Sequence, residues 1–185
     1  MTTLVIGGPG SGKSALAEEL AVKTGDEKRY YLATMAVCDA DGAERVKRHR
    51  SQREGKGFVT IEREMDLPGI LPELEDAGEA AVLIECVANL VGNEMQRADK
   101  VLPGSFADEL MSEIRFLADH VRDLIIVTDE FEKESGEYDA STRMYVRLLD
   151  LVNEKLLEFA DVVYDLRNDS GRHIVQNFVL GGVVR

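Results

Sequence analysis

Short apolar runs alternate along this chain with segments whose apolar residues recur every three or four positions. Five runs, Thr2–Gly7, Arg29–Thr34, Ala80–Glu85, Asp123–Thr128 and Asp161–Leu166, are too short for buried helices and rich in Val, Ile and Leu, so they predict strands. Helices are predicted over Ser14–Lys23 and Asp41–Arg53. Leu110, Ile114, Leu117 and Val121 mark the apolar face of a further helix, and Tyr145, Leu148, Leu149, Val152, Leu156 and Phe159 mark another. Those stripes are core faces rather than ligand sites. The turn composition of Arg167–Arg172, between two apolar stretches, predicts a closing β-hairpin. Strands alternating with helices predict an α/β domain, with a mainly parallel central sheet flanked by helices. The 185 residues suit one core, so residues 1–185 are read as a single domain. Residues 25–29, 96–104 and the acidic stretch 129–141 are read as surface connections.

Composition narrows the function classes. No run approaches the ~18 to 20 apolar residues of a membrane span, and the first residues lack a basic region and a small-residue cleavage site. The expectation is a cytoplasmic protein with no membrane insertion. Cys38 and Cys86 are too few and too far apart for a disulfide framework or a thiolate metal site, and each reads as a small buried residue near a strand. Lys and Arg number 22 against 35 Asp and Glu, a net charge of −13, which argues against a nucleic-acid partner.

The first candidate site is Gly7–Ser14, GGPGSGKS, which fits G-x-x-x-x-G-K-[ST] between an apolar strand and a helical segment. Gly7, Gly8, Pro9, Gly10, Ser11 and Gly12 would turn backbone N–H groups onto phosphate oxygens, helped by the positive end of the following helix. Lys13 would reach the β- and γ-phosphates and Ser14 would bind Mg2+. Two acids at strand ends are candidates to assist the metal: Glu85, or the pair Asp129 and Glu130. An Asn-Lys-x-Asp signature for reading guanine is absent.

The second candidate is Arg45–Arg53, RVKRHRSQR, five of whose nine residues are basic around His49. On a helix Arg45 and His49 share a face, as do Arg50 and Arg53. A solvated basic face with a spectator histidine is one reading. In an acidic chain with a P-loop, the other is a set of cations that meets a triphosphate. A neutral imidazole among them would be a competent nucleophile toward phosphorus. The residues alone permit either.

The P-loop, Tyr31–Thr34 (YLAT), RVKRHRSQR running on to Phe58–Glu62 (FVTIE), Leu83–Asn93 (LIECVANLVGN) and Val127–Glu130 (VTDE) occur in that order over most of the first 130 residues. In this the chain resembles the bifunctional adenosylcobinamide kinase / adenosylcobinamide-phosphate guanylyltransferase family of cobalamin biosynthesis. The resemblance implies a RecA-like P-loop NTPase fold and a homotrimer. It implies phosphorylation of adenosylcobinamide, then transfer of GMP from GTP through a guanylyl-histidine at His49, with Lys13 on the phosphates. By the same resemblance Thr34, Met35, Ala36, Arg50, Ser51, Gln52, Arg53, Glu62 and Glu85 line the nucleotide site, with GTP, ATP and Mg2+ as ligands and cofactors and a corrinoid as the second substrate. The chain departs from the family pattern at Glu54, where proline is usual, and at Phe58, near a usual tryptophan. It departs again after Val127–Thr128, where VTDEFEKESGEYDAS stands for VTNEVG and a glycine-rich segment. Two other readings stay open: a P-loop small-molecule kinase without a covalent nucleotide, and a nucleotide-responsive regulatory module.

His120, near a helix end, and His173, opening the final hairpin, read as surface or cap residues, and Asp165 and Asp169 as solvated surface. No three-ligand cluster suggests zinc, and no Ser-His-Asp arrangement is evident.

Overall fold

The computed structural model describes residues 1–25, 28–36, 40–97, 105–131, 138–167 and 173–176, without the side chains of 40, 41, 43, 45, 48, 52 and 173–176. Seven strands form one sheet: β1 (Thr2–Gly7), β2 (Arg29–Ala33), β3 (Phe58–Glu62), β4 (Ala81–Glu85), β5 (Asp123–Asp129), β6 (Val162–Leu166) and β7 (His173–Gln176). Their spatial order is β3-β2-β4-β5-β1-β6-β7, parallel throughout except for β7, which runs antiparallel to β6. The expected parallel sheet and closing hairpin are thus both present.

Strand β1 is buried at all of its positions, and β4 and β5 nearly so. Strands that read as continuous apolar runs need cover on both faces. Helix α1 (Lys13–Lys23) lies along β1, β4 and β5. Helices α3 (Val87–Met95), α4 (Phe106–His120) and α5 (Ala140–Phe159) pack on one another through α5, and each touches β5 or β1. The predicted stripe residues Leu110, Ile114, Leu117, Leu148, Leu149, Val152 and Leu156 are all buried core. Asp139 caps α5, its side chain accepting from Thr142 N–H at 2.7 Å, and that bond lowers the pKa of its carboxyl.

Two 3-10 helices, Leu67–Glu73 and Ala77–Glu79, one strand and one α-helix lie outside the expected set. Strand β3 pairs with β2 at the sheet edge, from Arg29↔Phe58 to Ala33↔Glu62. Only Ile61 of its five residues is buried, so it lacks the apolar run that marks the inner strands. Helix α3 has Cys86 at its N-cap with no side-chain cap bond, and its buried face, Val87, Leu90, Val91 and Glu94, keeps helical spacing over only two turns. Among the five strands foreseen, β2 stops one residue early and β5 runs one residue further, to Asp129, which matters for the site. Residues 98–104 and 132–137, read as connections, lie outside the described residues, as do Cys38 and Asp169. No described helix is long and apolar enough to cross a membrane.

Candidate functional site at the P-loop and the His49 cleft

The carboxyl ends of β1, β4 and β5 converge on the start of α1. Gly12 takes the left-handed conformation (φ 83°) immediately before α1, which sets the turn from loop to helix. Gly7 is needed for space: a Cβ there would lie 2.6 Å from Ser11 Oγ and 3.1 Å from Leu166 Cβ. Ser11 N–H donates to Gly8 O at 3.2 Å, closing the loop. Pro9 and Gly10 are exposed at its tip.

Both side chains that end the motif are held by carboxylates. Lys13 Nζ lies 2.5 Å from Asp129 Oδ1 and donates to Gly8 O at 3.1 Å. Ser14 Oγ donates to Glu85 Oε1 at 2.8 Å. The two acids left open by the sequence therefore have separate stations. Asp129 stands opposite Gly7 in the β1–β5 register, while Glu85 ends β4 beyond it. Glu130 is drawn away: its backbone N–H donates to Gly7 O, and its carboxylate pairs with Arg167 at 3.2 Å. Arg167 also pairs with Asp165 at 2.5 Å, so Asp165, expected to be solvated, is instead an ion-pair partner that is 16% exposed. Burial raises the Glu85 carboxyl to about 7. The Ser14 hydrogen bond and Lys13 oppose that rise, and the Asp129 charge adds to it.

Glu85 also lines a second space, a cleft of about 980 Å³ that holds His49, Arg50, Ser51, Arg53, Met35 and Glu62. Helix α2 (Ala40–Gln52) supplies the first three, and the ends of β2 and β3 form the opposite wall. The nucleophile candidate and the P-loop acid thus share one cavity. The cleft is not uniformly basic. Lys47, Arg50, Arg53 and Arg63 line it together with Glu54, Glu62, Glu64 and Glu85. Arg50 pairs with Glu62. Arg53 is buried, stacks over the Tyr31 ring at 3.9 Å and donates to Thr60 Oγ1 at 3.2 Å.

Thr34 does not line the cleft. It is fully buried, donates to Cys86 O at 2.9 Å, and its own carbonyl accepts from Asn93 Nδ2 at 2.8 Å. Its place is structural, tying β2 to the start of α3. Ala36 follows Met35 beyond β2 and is half-buried, and Gln52 ends α2. Cys86 is buried as expected, and burial pushes its thiol up. His120 is exposed in the last turn of α4, its Nδ1 2.7 Å from Phe116 O. Tyr31, Arg63 and Asn89 line the cleft without having been expected at the nucleotide site, although Tyr31 opens the YLAT segment and Asn89 lies within LIECVANLVGN. The signal available for Asn89 was its spacing from Asn93, which puts two amides on one face of an otherwise apolar segment.

Sheet order, strand-to-helix phosphate loop and paired strand-end acids define a P-loop nucleotide-binding protein of RecA-like fold. The chain belongs to the cobinamide kinase / cobinamide phosphate guanyltransferase family, whose model matches residues 3–169. It is 34% identical over 87 residues to the bifunctional adenosylcobalamin biosynthesis protein CobP of Pseudomonas aeruginosa; the match covers 47% of this chain and 49% of that protein. The chain therefore aligns with about half the length of that relative. Among solved structures it is similar to an ATPase domain, at a TM-score of 0.50 and 10% identity, over 89% of this chain and 68% of that one. That likeness shows the fold alone. It is also similar to the flagellar accessory protein FlaH of Methanocaldococcus jannaschii (TM-score 0.48, 16% identity, 89% and 70% covered).

Proposed function

We propose that this chain phosphorylates adenosylcobinamide and then transfers GMP from GTP to adenosylcobinamide phosphate, with His49 as the covalent carrier. The observation that carries this reading is the shared wall. Glu85 touches Ser14 of the P-loop on one side and lines the His49 cleft on the other. A nucleotide that reaches from the P-loop past Glu85 brings its α-phosphate toward the histidine helix.

In the kinase step the aminopropanol hydroxyl of the corrinoid attacks the γ-phosphorus of a nucleoside triphosphate. The bond to the β-phosphate oxygen breaks and the diphosphate leaves. Lys13 and the loop N–H groups would hold the phosphates and neutralise charge as it shifts to the leaving oxygen. In the guanylyl step an imidazole nitrogen of His49 attacks the α-phosphorus of GTP, the α–β bridge breaks, and pyrophosphate departs. The corrinoid phosphate oxygen then attacks the same phosphorus and releases His49. Splitting one displacement in two lets a single basic cluster serve both halves.

The residues present fit Mg2+. Ser14 Oγ and Glu85 offer hard oxygen donors, and Glu85 Oε2 is buried with no hydrogen-bond partner among the described residues. When bound, the ion would polarise the phosphoryl oxygens and offset their charge. Of the cluster's cations, Arg50 is best supported as a mobile phosphate partner, because its side chain is 58% exposed and its pair with Glu62 is solvent-facing. Arg53 is better supported as a post that fixes the end of α2. The homotrimer expected from the family resemblance is carried as part of this proposal.

The test is direct. The protein is incubated with Mg2+ and GTP labelled at the α-phosphate, denatured, and assayed for retained label. Label in an acid-labile, base-stable bond is expected, and His49→Ala should abolish it. Absence of label, with corrinoid kinase activity intact, would leave the P-loop kinase without a covalent nucleotide as the surviving reading.

A further inference from the structure

The P-loop lysine is not waiting in solvent. Its ammonium is 2.5 Å from Asp129 Oδ1, and the two side chains are 9% and 19% exposed. A pair this shielded is little screened by salt, and separating it is costly unless each charge gains a new partner. Asp129 is aimed by the sheet rather than by a loose loop. It sits opposite Gly7 in the β1–β5 register, and its backbone oxygen accepts from Asn153 Nδ2 at 3.0 Å. Asn153 is buried and also accepts from Thr128 Oγ1 at 2.7 Å, so the end of β5 is pinned from α5.

The acceptor capacity on both sides of the loop is unspent. Among the described residues Asp129 Oδ2 receives only a weak thiol contact, from Cys86 Sγ at 3.7 Å. Glu85 Oε2 is buried and has no hydrogen-bond partner among the described residues. Two carboxylates thus flank the lysine and the hydroxyl that a P-loop uses for phosphate and metal. A triphosphate arriving without a cation would have to draw Lys13 from Asp129 and sit against an unpaired carboxylate. A triphosphate arriving with a divalent cation supplies the charge that can stand in for the ammonium.

We propose that Asp129 is an exchangeable counter-ion that makes nucleotide binding at this P-loop conditional on a divalent cation. It keeps Lys13 from the phosphates until the cation takes the ammonium's place beside the carboxylates. Asp129 acts through Lys13 and is a positioning residue; no covalent bond changes. The proposal rests on the P-loop being the triphosphate site, part of the function proposed above, but needs neither His49 chemistry nor a corrinoid.

The test reads binding, not turnover. The affinity of the intact protein for the non-hydrolysable β,γ-imido analogue of GTP is measured in EDTA and in Mg2+. The wild type should bind much more tightly in Mg2+. Asp129→Asn, which keeps the shape and removes the charge, should tighten binding in EDTA by about ten-fold and narrow the gap between the two buffers. Asp129→Ser should do the same, and serves if the amide variant does not melt like the wild type. Unchanged or weaker binding of the folded variants in EDTA overturns the proposal, as does a gap of wild-type size. The two readings fail separately. Loss of the His49 label with the Mg2+ linkage intact removes guanylyl transfer and leaves the counter-ion. An intact label without the linkage does the reverse.

Discussion

Burial makes the fold resist the charge of Glu85. Its carboxyl is raised from 4.5 to about 7, chiefly by burial. The native protein therefore holds this proton more tightly than the unfolded chain. From about 4.5 to about 7 the native state carries the proton and the unfolded state does not, so this group's contribution to stability is present at the acid end and lost as pH rises through 7. At one pKa unit per 1.4 kcal/mol the ceiling is about 3 kcal/mol, and the solvent that still reaches the group lowers it. Denaturant titrations without Mg2+ should show that decline in the wild type and a flattened profile in Glu85→Gln. An identical profile in the variant would move the tension elsewhere. The loop residues were legible in the sequence because their chemistry is local: consecutive glycines, a lysine and a hydroxyl within eight positions. The choice between Glu85 and Asp129 was not legible, because it depends on which strands lie side by side. Only the register that puts Gly7 against Asp129, with β4 one strand further out, gives each acid its own partner.

At the scale of elements, what matters is how α2 is held. Its polar composition left no apolar stripe to bury, and two side-chain contacts hold the turn that follows its C-terminal end. Arg53 stacks on Tyr31 there, and Lys56 reaches Glu18 Oε2 at 2.5 Å. Glu18 is 1% exposed and lies on α1, one turn after Ser14, so this pair joins the phosphate-loop helix to the turn between α2 and β3. Lys56→Met should cost roughly 1–3 kcal/mol, less than a fully buried pair because Lys56 is itself 33% exposed. Adding Glu18→Gln should recover much of that loss, since the stranded charge goes with it. Denaturant midpoints of the two single variants and the double variant test this, and strictly additive losses would mean the pair does not act as a strut. Nothing in the sequence marked either residue: a glutamate inside a helix and a lysine in a glycine-flanked turn are ordinary surface patterns until the fold buries one of them. Strand β3 escaped for a related reason, being an edge strand whose Val59 and Thr60 are exposed.

At the scale of the whole molecule, the basic run loses its simplest meaning. A cluster of arginines in a chain of net charge −13 invites the picture of an electropositive trap. Yet the cleft mixes four basic side chains with four glutamates, Arg53 is committed to Tyr31 and Thr60, and Arg50 pairs with Glu62. What a distant nucleotide senses first is the summed acidic charge. That field extends over about a Debye length, roughly 10 Å at 0.1 M salt, whereas the contacts that hold phosphate act within a few ångströms. Added salt should therefore weaken the long-range repulsion more than the shielded local pairs. The association rate of the β,γ-imido GTP analogue, followed by stopped flow at fixed free Mg2+, should rise roughly two- to five-fold from low to physiological ionic strength. A basic trap predicts the opposite sign, a rate that falls with salt as it does for proteins steered toward nucleic acid. A falling rate would show that the cations of α2 dominate the field at the mouth of the cleft, and that the glutamates lining it are turned from the path of entry.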